Sequence, residues 1–197
     1  MAKKNKVKTV VVGLTGGIAT GKTSVLRQFA RHGVKTISCD EISRELFYKK
    51  GIAAKIKKEF NTLDRKKIAQ IIFSGRAARA RLEKIMHPPI FRELKELIKS
   101  ARSKKAGIVV VDVPLLFETA TRGMFEKVIV VWCPKKIQVK RLAARDGISL
   151  AAAERKTRAQ MPLSRKLKMA DYIVDNSRGF SVLKRDVRKI LDKLSQI

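Results

Sequence analysis

The chain is short of cysteine, aromatic residues, acid and long apolar runs, and each shortage removes a class of function. Its two cysteines, Cys39 and Cys133, lie far apart with no Cys-x-x-Cys pair and no histidine cluster beside them. This argues against a disulfide scaffold or a thiol-built metal site. Each ends an apolar, strand-like run, so both read as buried thiols in a reducing compartment. Aromatics make up 6% of the residues, thin for stacking on single-stranded bases. No apolar stretch approaches the roughly 20 residues of a membrane span, so no membrane partner is expected. Acid is the largest deficit: 17 Asp and Glu stand against 46 Lys and Arg, a formal charge of +29. Such a field attracts nucleic acid non-specifically, with affinity that falls as salt rises. The basic residues are nevertheless spread over most helical segments instead of forming one block, which reads as a generally basic surface.

What is present suits one domain with helical additions. The 197 residues are 45% hydrophobic, enough for a sizeable core. There is no internal repeat or low-complexity tail. The start, Met1 to Lys8, is basic, but a glycine-rich motif follows it directly. Cleavage there would destroy the motif, so no targeting segment is read and a cytoplasmic location is expected.

That motif is Gly16-Gly17-Ile18-Ala19-Thr20-Gly21-Lys22-Thr23, matching the phosphate-loop pattern G-x-x-x-x-G-K-[ST]. It follows the apolar run Val10 to Leu14 and opens the helix-like stretch Ser24 to Ala30, the strand–loop–helix context the pattern requires. Glycines allow successive backbone N–H groups to converge, and the helix N-terminus adds positive potential. Lys22 would reach the β- and γ-phosphates of a nucleoside triphosphate, and the Thr23 hydroxyl would ligate Mg²⁺.

Five runs rich in Val and Ile read as parallel strands: Thr9 to Leu14, Lys35 to Cys39, Ile108 to Val113, Val128 to Cys133 and Tyr172 to Val174. A helix from Thr23 to His32, stopped by Gly33, joins the first two. The last segment sets Leu183, Val187, Ile190, Leu191 and Leu194 on one helical face. Residues from Asp40 to Ser103 hold no strand candidate and break into helical pieces at Gly51, Asp64, Gly75 and His87-Pro88-Pro89, with Asp64 as an N-cap. A second helical excursion, Pro134 to Ala170, is dense in Arg and Lys, Lys166 among them. It reads either as a lid closing cations over phosphates or as a solvated basic face.

Phosphoryl transfer depends on positioning, Mg²⁺ and surrounding cations, with a carboxylate to take the acceptor's proton. Asp40 closes the second strand-like run, where ligands bind in open parallel sheets; it is read as that base or as the N-cap of a helix beginning at Glu41. Asp112 closes the run Ile108 to Val111 and is read as a Mg²⁺ carboxylate or a strand-terminal turn residue. His87, before two prolines, is read as a turn or core residue or as a direct participant.

Taken together, the motifs resemble the dephospho-coenzyme A kinase family over nearly the whole chain. The resemblance is carried by Gly13 to Thr23, by Asp40-Glu41-Ile42-Ser43-Arg44, by Leu82-Glu83-Lys84-Ile85-Met86-His87-Pro88, by Pro114-Leu115-Leu116-Phe117-Glu118, and by Arg141-Leu142-Ala143-Ala144-Arg145-Asp146 with Gln160-Met161 and Ala170-Asp171-Tyr172-Ile173-Val174-Asp175-Asn176. It implies a three-layer α/β phosphate-loop NTPase fold with a five-stranded parallel sheet, a helical acceptor-binding insertion over about 41–103 and a helical lid over about 134–170. It also implies ATP-dependent phosphorylation of the ribose 3′-hydroxyl of dephospho-coenzyme A, with Mg²⁺. Asp40 would be the base. Gly16 to Ser24 would hold the phosphates, with Thr23 and Asp112 holding the metal. Arg141 and Arg145 would act from the lid, and His87, Pro88 and Leu115, Leu116, Phe117 and Glu118 would border the acceptor. Where Ala19 stands the family usually has glycine, so a negative φ is expected there. Another small-metabolite kinase, or a nucleic-acid-binding protein switched by nucleotide, are the competing readings.

Overall fold

Seven consecutive buried residues, Val10–Gly16, form β1, the central strand of a five-stranded parallel sheet. The computed structural model describes residues 8–197, apart from the side chains of Phe73 and Ser74. The basic start read as carrying no targeting signal lies, from Met1 to Val7, outside the described residues. The remaining strands are β2 (Lys35–Ser38), β3 (Ile108–Asp112), β4 (Lys127–Trp132) and β5 (Tyr172–Asp175), in spatial order β2-β3-β1-β4-β5. Leu14 lies opposite Asp112 of β3, and Gly16 opposite Val131 of β4. The chain leaves β1 toward one edge and later crosses β1 toward the other, so the carboxyl end of β1 is a topological switch point.

Strand alternation assigns the two faces. Val10, Val12 and Leu14 share a core with α1 (Lys22–Arg31) and the last helix, α9 (Phe180–Leu194), whose buried residues are the five expected of it. On the other face the chain between β3 and β4 presses close. A Cβ added to Gly13 would meet Leu116 Cδ1 at 2.5 Å and the Phe125 ring at 3.0 Å.

Neither cysteine ends a strand, a correction to the reading above. β2 stops at Ser38, whose hydroxyl accepts the Glu41 N–H and caps α2 (Cys39–Phe47), so Cys39 opens a helix; Cys133 follows β4. Both thiols are buried.

The described chain divides into two compact units, Ser38–Ser100 and the remainder. The first holds α2, α3 (Lys50–Phe60), α4 (Arg65–Ser74) and most of α5 (Arg76–Ser103). Asp64 does cap α4, accepting the N–H groups of Lys66 and Lys67. The break marked by Gly51 falls just before it, at Tyr48 and Lys49 between α2 and α3, and Gly51 itself lies inside the first turn of α3. The break expected at His87-Pro88-Pro89 does not occur: α5 runs for 28 residues through Pro88 and Pro89. Each proline removes one helical N–H and crowds the carbonyl four residues back. The helix persists because Met86, Ile90, Leu94 and Ile98, four residues apart, are all buried along one face. Tertiary burial outweighs the local break.

Between β4 and β5 lie α6 (Lys135–Asp146), α7 (Leu150–Arg158) and α8 (Leu163–Lys168). Val139, Leu142 and Ala153 form a small core there, with Ile18 and Ala19 packed against it.

Candidate active site

The loop from Gly16 to Gly21 joins the end of β1 to the first turn of α1, so its backbone lies at the helix N-terminus where potential is positive. Gly21, at φ 90°, is the cap of α1; a Cβ there would also collide with the Asn176 side-chain amide. Ala19 takes φ 58°, against the negative value expected. The left-handed conformation costs an L-residue about 1–2 kcal/mol. Its methyl packs against the α6–α7 core, which offsets part of that cost.

Within the loop, Gly17 O accepts the Thr20 hydroxyl at 2.9 Å and the Lys22 Nζ at 3.5 Å. Three side-chain amides hold the rest. Gln138 Nε2 donates to Ile18 O at 2.7 Å, Gln160 Oε1 accepts Ile18 N–H at 2.8 Å, and Asn176 Nδ2 donates to Thr20 O at 2.9 Å. These partners lie 120, 142 and 156 residues from the loop, so no local pattern exposes them. Gln160 and Asn176 lie in segments that carry the family resemblance, but their grip on the loop needed the fold. Asn176 is held by its backbone N–H, which donates to Trp132 O at 2.8 Å. Burial pushes the Asp175 carboxyl up, yet hydrogen bonds from the Ser177 hydroxyl and N–H and from Arg178 outweigh it and hold the pKa below the usual range.

Thr23 and Ser24 are exposed in the first turn of α1. Asp112 ends β3, 6% exposed, one strand over from β1. A hydroxyl and a carboxylate are hard oxygen donors, the type Mg²⁺ selects. Among the described residues there is no cluster of three or more His, Cys, Asp or Glu, so the donor set suits an ion that completes its shell from water and phosphate.

Arg141 and Arg145 sit four residues apart on α6, on one helical face and both exposed. Arg145 Nε lies 2.9 Å from Asp146 Oδ1, and this hydrogen bond is the main reason the Asp146 pKa is lowered. Arg141 stands beside Cys133, whose thiol is pushed up by burial in spite of that arginine. That shift favours the thiol form, the less nucleophilic of the two.

The segment Pro114 to Glu118 is a series of turns after β3. Leu115 and Phe117 are half-buried, but Leu116 is 0% exposed beneath β1, so it supports the segment and does not line its surface. Glu118 Oε1 lies 2.7 Å from Lys166 Nζ. Lys166 also donates to Pro114 O at 3.3 Å and is 0% exposed. It is not part of a solvated face, a correction that only the ion pair with Glu118 reveals.

Asp40, exposed in the first turn of α2, is not a cap, since Ser38 has that role. His87 lies within α5, its ring 5.4 Å from that of Phe91, with Pro88 exposed beside it. Asp40, His87 and Pro88 belong to the helical unit; the phosphate loop, Asp112, Pro114 to Glu118 and the two arginines belong to the other.

A dephospho-CoA kinase family model (CoaE) matches residues 10–181, reaching from β1 into α9. The chain belongs to the dephospho-CoA kinase family. A dephospho-CoA kinase from Carboxydothermus hydrogenoformans is 36% identical over 192 residues, 93% of each chain. Another from Bacillus licheniformis is 33% identical over 199 residues, 96% of this chain and 98% of its own. The solved dephospho-CoA kinase of Campylobacter jejuni superposes with a TM-score of 0.72 at 28% identity, covering 95% of this kinase and 98% of that one.

Proposed function

We propose that this kinase transfers the γ-phosphoryl group of ATP to the ribose 3′-hydroxyl of dephospho-coenzyme A, giving coenzyme A and ADP. The observation that carries this is the braced phosphate loop at the switch point of a chain whose family membership spans nearly its full length. In this reading the loop amides and Lys22 seat the β- and γ-phosphates, and the α1 N-terminus adds fixed positive potential. Arg141 and Arg145 bring cations to the migrating group from the lid. Thr23 and Asp112 would hold Mg²⁺, which when bound supplies charge neutralisation at the phosphates. Asp40 takes the proton of the attacking hydroxyl. His87, Pro88, Leu115 and Phe117 border the acceptor, with Leu116 and Glu118 supporting that border from within.

No helix among the described residues is long and apolar enough to cross a membrane. A cytoplasmic enzyme is the proposal, with a basic surface that retains nucleic acid non-specifically at low salt.

Mass spectrometry after incubation with Mg²⁺-ATP and dephospho-coenzyme A tests the reaction. One phosphoryl group is expected on the acceptor with the native protein and none with Lys22→Ala. No transfer from a folded, ATP-binding protein would point to a different acceptor. Asp40→Asn is expected to lower kcat by at least about a hundredfold, the scale of general-base loss, while leaving ATP affinity nearly unchanged. Equal losses in both would assign Asp40 a structural role.

A further inference from the structure

We infer that Gln138 and Gln160 are positioning residues for ATP, acting jointly through the backbone of Ile18. The inference rests on the loop being the ATP site, as proposed above. The β1 ladder reaches only to Gly16, and the hydrogen bonds of α1 begin at Gly21 O. Residues 17 to 20 lie between these frames with one backbone hydrogen bond of their own, Thr20 N–H to Gly17 O, so side chains hold the backbone groups that remain. Ile18 is the point held on both sides: its N–H donates to Gln160 and its C=O accepts from Gln138. The directions are forced, since a backbone carbonyl can only accept and an N–H can only donate.

Gly17 permits this arrangement. A Cβ on Gly17 would collide with Gln138 Nε2, so the glycine admits the amide to the loop. Gln138 also shares a helical face with Arg141 and Arg145, three and seven residues on. One rigid helix thus carries both a brace for the phosphate loop and the two arginines assigned to the migrating group. Gln160 sits between α7 and α8, so the second brace comes from a different part of the same helical excursion. The Ile18 side chain packs on the core that joins α6 and α7. Loop and helices therefore meet through apolar contact at the side chain and through hydrogen bonds at both backbone groups.

Neither glutamine is assigned a reacting atom. Each fixes the curvature on which the phosphates seat, and a loop that relaxes loses nucleotide before it loses acceptor. Gln138→Met and Gln160→Met keep approximate size while removing the hydrogen bonds. Each is expected to raise the KM for ATP about tenfold, the scale of one lost buried hydrogen bond. The KM for dephospho-coenzyme A should stay within about twofold, and the melting temperature within a few degrees. The double variant should fall well short of the about hundredfold loss that independent contacts would produce, because both act through Ile18. In Gln160→Met, amide exchange at Ile18 should accelerate while Val128 to Val131 in β4 remain protected.

An unchanged KM for ATP in both single variants would overturn the inference. So would equal rises for ATP and acceptor, or fully additive losses in the double variant. Should one variant fail to fold, the other gives the same reading through its own kinetics. Lys22→Ala separates the underlying assignment: full activity there would overturn the ATP-loop reading itself, whereas loss there with normal Gln138→Met and Gln160→Met kinetics would overturn this inference alone.

Discussion

At the residue scale, Ala19 shows opposing effects of similar size. Its φ of 58° costs about 1–2 kcal/mol. Replacement by glycine would remove that strain, but would lose a half-buried methyl worth at most about 0.8 kcal/mol and add about 0.4–1 kcal/mol of unfolded-chain entropy. Ala19→Gly is therefore expected to shift stability by less than about 1 kcal/mol, a few degrees at most in a protein of this size. Ala19→Val should cost more, because β-branching at positive φ is strongly disfavoured. Urea denaturation of the two variants checks this; equal stabilities for Gly and Val would show that the left-handed conformation is not held.

Among the elements, the Glu118–Lys166 pair ties the turns after β3 to α8, a six-residue helix with little apolar surface of its own. Lys166 is 0% exposed while the Glu118 side chain is 21% exposed, so the lysine suffers more when the pair is broken. Glu118→Ala is expected to cost about 3 kcal/mol, the low end for breaking a buried pair. Glu118→Leu combined with Lys166→Met should recover much of that loss, since apolar replacement of both partners removes the stranded charge. Urea unfolding of the single and double variants decides it; a loss below about 1 kcal/mol in Glu118→Ala would mean the pair contributes no more than a surface one. In α5 the prolines present the opposite case. Pro88 is exposed inside a helix, where proline is unfavourable by about 3 kcal/mol relative to alanine. Part of that is offset because proline also restricts the unfolded chain. Pro88→Ala should raise the melting temperature and, if Pro88 borders the acceptor, raise the KM for dephospho-coenzyme A without altering that for ATP. A more stable enzyme with unchanged kinetics would remove Pro88 from the acceptor site.

For the whole molecule, the charge of +29 is the governing quantity. Exposed ion pairs such as Arg158–Glu154 and Arg188–Asp192 contribute at most about 1 kcal/mol each, and salt weakens them. Repulsion among the excess cations is screened by the same salt, over a Debye length of about 10 Å at 0.1 M. With 46 basic residues against 17 acidic ones, repulsion is the larger effect. The melting temperature is therefore expected to rise from low to moderate sodium chloride, while retention on immobilised RNA falls over the same range. A melting temperature that falls with salt would show that ion pairing dominates instead.

The amino-acid sequence by itself determined the parts whose signal is local. A glycine-rich loop between an apolar run and a helix declares itself because backbone freedom and helix polarity depend on neighbours in the chain. Val- and Ile-rich runs marked all five strands to within two residues at each end, and the spacing in α9 named its buried face. Asp64 was recognisable as a cap for the same reason. What the tertiary structure decided lies beyond any local window. Burial along Met86, Ile90, Leu94 and Ile98 carried α5 through two prolines that locally signal a stop. A partner 48 positions earlier turned Lys166 from an apparent surface cation into a buried one. The amides of Gln138, Gln160 and Asn176 became the phosphate loop's supports because folding brings distant donors and acceptors to backbone groups that neither strand nor helix can satisfy.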